Sequence, residues 1–77
     1  MAMQILVDYG QTVREIRQSK NMSQETLADL CGLHRTYISD VELGKRNISL
    51  ENIDKMATAL EITLPQLFER VVKNESI

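Results

Sequence analysis

Ser23-Gln24-Glu25-Thr26-Leu27-Ala28-Asp29-Leu30-Cys31-Gly32-Leu33-His34-Arg35-Thr36-Tyr37-Ile38-Ser39-Asp40-Val41-Glu42-Leu43-Gly44 is the stretch whose reading decides the fold. Before it stands Met22, so an apolar residue, a capping hydroxyl (Ser23) and a second apolar residue (Leu27) fall at the spacing of a hydrophobic staple, which starts a helix. Leu27, Ala28 and Cys31 then make one apolar stripe, and Gly32 can take the left-handed conformation that ends a helix. Leu33, His34 and Ile38 repeat the start, although His caps less well than Ser. Ile38 and Val41 continue the second stripe until Gly44 stops it. The stretch predicts two short helices, at about 24–31 and 35–43, joined by a three-residue turn containing Gly.

The same start signal recurs on the C-terminal side. Ile48, Ser49 and Ile53 form one staple; Ile62, Thr63 and Leu67 form another, with Gln66 completing a Thr-x-x-Gln capping box and Pro65 tolerated in the first turn. On the N-terminal side the periodicity of Tyr9, Val13, Ile16 and Arg17 marks an earlier helix, interrupted before Asn21. Five helices are expected, at about 8–20, 24–31, 35–43, 50–60 and 64–73, and no segment alternates like a strand. The fold class is all-α, a compact five-helix arrangement. Seventy-seven residues make one domain, 1–77, with a thin core. Short connections make sequential helices neighbours, and the pair at 24–43 matches the helix-turn-helix unit, whose second helix can enter a DNA major groove. Helical hairpins of this size also occur with no nucleic-acid role, so geometry leaves both readings open.

Composition narrows the class. With 43% hydrophobic and 26% charged residues, disorder, a fibrous repeat and a disulfide scaffold are excluded. The lone Cys31 forms no internal disulfide, and no apolar run approaches a membrane span, so a soluble protein of the reducing cytoplasm is expected, with no membrane partner. Cys31 and His34 are too few for a zinc site, and on a turn they lack the third group and oxyanion donors of a Cys-His nucleophile. Cys31 reads as a small core residue, His34 as a cap or phosphate donor, and Met56 and Phe68 as core or interface. Neither catalysis, a metal nor a cofactor is expected. The net charge is −2, which by itself argues against nucleic acid. By segment it is uneven: Arg14, Arg17 and Lys20 against Asp8 and Glu15 leave residues 1–23 at +1. Arg35, Lys45 and Arg46 against Asp40 and Glu42 likewise leave 34–47 at +1.

Ser23-Gln24-Glu25-Thr26-Leu27-Ala28, Gly32, Ile38-Ser39, Glu42, Gly44, Ser49-Leu50 and Ala57-x-x-Leu60 together resemble the lambda repressor-like, or Xre, helix-turn-helix family across roughly residues 9–70. Arg35-Thr36-Tyr37-Ile38-Ser39 and Lys45-Arg46-Asn47 further resemble the controller proteins of restriction-modification genes, a pattern that generic repressors largely share. The resemblance implies a sequence-specific transcriptional regulator on an operator, a possible autoregulatory controller that contacts RNA polymerase when it activates. It also implies that Arg17 and Glu42 form a largely buried structural ion pair.

In that docking geometry the first turn of the third helix reaches base edges. Arg35 is the leading base contact, since its fork matches guanine O6 and N7. Thr36 can meet a thymine methyl and Ser39 offers a hydroxyl one turn on. Asp40 either accepts from cytosine N4 or tethers Arg35 or another cation. Phosphate contacts are expected from Gln24 at the start of the second helix, from His34, from Tyr37, and from a clamp of Lys45, Arg46, Asn47 and Ser49. One groove's worth of contacts is modest, so a homodimer on a pseudo-palindromic double-stranded DNA operator is expected. Leu64, Leu67, Phe68, Val71 and Val72 exceed what one helix face needs and mark the fifth helix as the dimer seam. The rival class is an antitoxin or antagonist whose fifth helix and tail, with Val72 and Ile77, bind a partner protein.

Overall fold

The structure is a computed structural model that describes residues 3–75; Ile77 lies outside the described residues. Five helices follow in order: α1 (Gln4–Ser19), α2 (Gln24–Cys31), α3 (Arg35–Glu42), α4 (Leu50–Ala59) and α5 (Leu64–Glu75). No strand occurs among the described residues.

The expected starts hold at the hydroxyl caps. Ser23 Oγ accepts from Thr26 N at 3.0 Å and Ser49 Oγ from Asn52 N at 3.2 Å. At α5 the capping box closes both ways, Gln66 N donating to Thr63 Oγ1 at 3.2 Å and Thr63 N donating to Gln66 Oε1 at 3.1 Å. His34 occupies the cap position of α3 by its backbone alone; its side chain makes no capping bond. The first helix begins four residues before the expected start, because its first turn closes on a carbonyl and needs no capping side chain. Leu6 N and Val7 N both donate to Met3 O, and Gln4 Nε2 donates to Asp8 Oδ1 at 2.9 Å. The fifth helix continues two residues beyond its expected end, to Glu75.

The four exits share one device. Asn21, Gly32, Gly44 and Glu61 all take positive φ, and the next N–H returns to a carbonyl five residues back: Met22 to Arg17, Leu33 to Ala28, Lys45 to Asp40, Ile62 to Ala57. This is the bonding of a Schellman cap. Met22, Leu33 and Ile62 then pack half-buried on the core. Each of these residues closes one helix and staples the next, which is why three of the connections are so short.

All five helices meet in one core in which Val13, Ile16, Leu27, Ile38, Val41, Met56, Leu60, Leu67 and Val71 are fully buried. Cys31 lies among them, as expected of a small apolar residue. Tyr9 is buried in the same core, its hydroxyl 3.5 Å from Met56 Sδ and its ring tilted against Phe68 at 6.5 Å. α1 packs on α5 and α3; α2 packs on α3 and α4. Helix α3 is thereby braced by α1 and α2 and keeps an exposed flank. The approach of α1 to α3 is close at Gly10, where an added Cβ would run into the carbonyl oxygens of Val41 and Glu42.

Candidate nucleic-acid interface

The first turn of α3 projects outward. Arg35 and Thr36 are exposed, Ser39 and Asp40 half-buried, while Ile38, Val41 and Glu42 on the opposite side are buried. Amphipathicity aims the helix: its apolar stripe goes to α1 and α2 and its polar face to solvent. Behind that face lies the Arg17–Glu42 pair, buried and bidentate, with Arg17 Nε 2.7 Å from Glu42 Oε2 and Arg17 Nη2 3.0 Å from Oε1.

The loop after α3 is fastened to the helix. The Arg46 guanidinium stands 5.2 Å over the Tyr37 ring, and its Nη2 lies 3.3 Å from Asp40 Oδ2. Asp40 is therefore engaged as a tether for a cation, and that cation is Arg46, which leaves Arg35 outside the pair. Tyr37 packs its ring half-buried against the core, and its oxygen accepts from Asn52 Nδ2 at 3.1 Å. With that lone pair taken, the phenolic proton remains available to an acceptor such as a phosphate. Asn52 was missed by sequence reasoning; its bond spans two helices and leaves no local signal. Lys45, Asn47 and His34 are exposed. Ser49 gives its oxygen to the α4 cap and keeps its O–H as a donor. Gln24, half-buried at the first position of α2, donates its amide to Glu42 Oε1 at 3.0 Å, so it is anchored to the ion pair instead of swinging free. Gln24, Tyr37, Arg46 and Asp40 are thus brought together with α3 in one bonded frame, while Lys45, Asn47 and His34 stand at its edge.

On α5 the expected seam needs correction. Leu67 and Val71 are fully buried in the chain's own core, because they lie on the stripe that meets α1 and are spent there. Leu64, Phe68 and Val72, a quarter-turn round, are exposed at 38%, 39% and 59% and are the apolar residues still available to a second copy.

The reactive groups are quiet. Burial pushes the Tyr9 hydroxyl far above its ordinary range, with Cys31 and Tyr37 adding to the effect. Burial also raises the Cys31 thiol, with Lys55 acting in the other direction. A raised thiol carries less thiolate, opposite to the shift that activates a nucleophile. Among the described residues no group of three or more His, Cys, Asp or Glu is placed to hold a metal ion, and no helix is long and apolar enough to cross a membrane.

The helix-turn-helix family model matches residues 13–67, which contain both α2 and α3. The control protein C.BamHI of Bacillus amyloliquefaciens is 58% identical over 62 residues, covering 79% of this chain and 76% of that protein. The chain belongs to the helix-turn-helix family of controller proteins. Among solved structures, the restriction-modification controller protein C.AhdI from Aeromonas hydrophila is 57% identical, covers 82% of this chain and 96% of its own, and has a TM-score of 0.79. C.Esp1396I, solved as a tetramer in complex with its natural 35 base-pair operator, is 32% identical, covers 95% and 96% of the two chains, and has a TM-score of 0.89. The exposed α3 turn, the Arg46 tether and the buried ion pair are this controller-family member's own version of the site.

Proposed function

We propose that this controller-family chain is a sequence-specific DNA-binding transcriptional regulator, which occupies a pseudo-palindromic operator as a homodimer and governs a restriction-modification system, its own promoter included. The observation that carries the reading is the likeness, along 95% of this chain, to C.Esp1396I held on its operator. Arg35, Thr36 and Ser39 read base edges from α3. Gln24, His34, Tyr37, Lys45, Arg46, Asn47 and Ser49 grip the phosphates on either side. Asp40 acts through Arg46, setting where that cation stands. The protein works in the cytoplasm by occupancy, without a chemical step. Its switch is its own concentration, through dimerisation and cooperative filling of the operator, and an RNA polymerase contact converts occupancy into activation.

A salt titration on DNA upstream of its own gene tests the reading. Arg35→Ala removes a bidentate base contact of about 1–3 kcal/mol, so it is expected to lower operator affinity about 5- to 150-fold and to flatten the preference over scrambled DNA. Lys45→Ala is expected to weaken all sequences alike and reduce the slope of log K against log salt by about 1. Equal loss of operator and scrambled binding in Arg35→Ala would contradict the assignment.

A further inference from the structure

The buried ion pair extends to the DNA end of α2. One Glu42 oxygen accepts from both Arg17 Nη2 and Gln24 Nε2, each at 3.0 Å, while the other takes Arg17 Nε at 2.7 Å. The third arm of the guanidinium, Nη1, donates to Met22 O at 2.7 Å, immediately before the Ser23 cap. One network therefore joins α1, α3, the turn into α2 and the first residue of α2. Its inner members are buried; its last member, Gln24, is half-buried at the surface beside the exposed face of α3.

We propose that Arg17 and Glu42 are positioning residues for a DNA phosphate contact, with Glu42 fixing the side-chain amide of Gln24 so that its second N–H is presented outward from the α2 N-terminus. The chemistry is directional. A carboxylate only accepts, so Gln24 must turn its NH₂ group toward Glu42, and that group carries two protons. One is bonded to Glu42, and no acceptor among the described residues takes the other. The outward proton joins the unpaired backbone N–H groups and positive dipole end of α2, all of which attract an anion. Holding the amide in place beforehand spares the ordering cost that a free glutamine would incur on binding. This explains why a charged pair is kept in a thin core. A buried ion pair is weak evidence of stability, since apolar residues of similar volume often do as well or better; what this pair adds is orientation of α2 and its first side chain. The proposal rests on the reading of the α2–α3 face as the DNA surface.

The test compares wild type, Gln24→Ala, the apolar pair Arg17→Met with Glu42→Met, and the combined triple variant, by anisotropy of a labelled operator duplex and by thermal unfolding. Gln24→Ala is expected to lose about tenfold in affinity, the scale of one hydrogen bond to a charged group, with the melting temperature held. The Met pair is expected to lose at least as much while remaining folded, and adding Gln24→Ala to it is expected to cost nothing more. A folded Met pair that binds like wild type overturns the proposal, and so do losses that multiply in the triple variant. In wild-type protein, ¹H–¹⁵N spectra provide an arm that needs no variant to fold. Two resolved Gln24 amide protons are expected, one protected from exchange by Glu42 and one open to solvent that shifts when operator is added; two equally unprotected protons overturn the proposal. Wild type that binds no operator would instead bring down the functional reading, and this proposal with it.

Discussion

Gly10 shows how much a single position can decide without advertising it. A glycine within a helix costs about 0.5–1 kcal/mol relative to alanine, yet α1 needs one here, since a Cβ would collide with Val41 O and stand 2.9 Å from Glu42 O. Gly10→Ala is expected to destabilise the fold by about 1–3 kcal/mol, the range for overpacking, and to lower the melting temperature by about 4–8 °C for each kcal/mol. Calorimetry decides it, and an unchanged midpoint would contradict the close crossing. Nothing local in the sequence marks Gly10, because its importance depends on a helix far along the chain. The same limit explains why the Gln24–Glu42 and Asn52–Tyr37 bonds were not legible, and why Arg46 is revealed as the tether of Asp40 only in the folded chain. Arg17 and Glu42 were named in advance through family resemblance; no spacing rule pairs residues so distant.

At the scale of elements, side chains that act on their own backbone were the legible part. Ser23, Ser49 and the Thr63–Gln66 box are each bonded as their spacing implies. The beginning of α1 was not legible, because Met3 supplies a carbonyl and no capping side chain. The exit of α4 was also hidden, since Glu61 takes the left-handed conformation at φ 56° that sequence patterns associate with glycine. That strain is removable. Glu61→Gly is expected to stabilise the fold by about 0.5–1 kcal/mol, the left-handed penalty less the added freedom of the unfolded chain. Urea unfolding reads it as a higher midpoint at unchanged slope; a lower midpoint would mean that the Glu61 side chain contributes more than its backbone costs. Helix α5 shows the other way in which pattern misleads. Its apolar residues were counted as a single seam, but Leu67 and Val71 serve the chain's own core while Leu64, Phe68 and Val72 face out.

For the molecule as a whole, that division separates folding from assembly. Leu67→Ala opens a cavity in the core and is expected to cost about 2–5 kcal/mol of a small domain's stability. Phe68→Glu alters a partly exposed ring and is expected to leave the helical circular dichroism intact while shifting sedimentation from dimer to monomer. A Phe68→Glu dimer of wild-type strength would remove α5 as the seam. Assembly also bears on the charge. The net −2 includes +2 on the proposed DNA face, from Arg35, Lys45 and Arg46 against Asp40, and −4 on the remainder. An acidic remainder limits indiscriminate attraction to DNA and leaves recognition to a few placed groups, and a dimer presents the basic face twice. The central claim, that two copies of α3 read DNA together, is tested most directly by a hydroxyl-radical footprint of the DNA upstream of the gene. The account predicts two symmetric protected half-sites with centres about 34 Å apart, one helical turn, which Arg35→Ala abolishes. Protection that is absent at low salt, or spread evenly without symmetry, would contradict it.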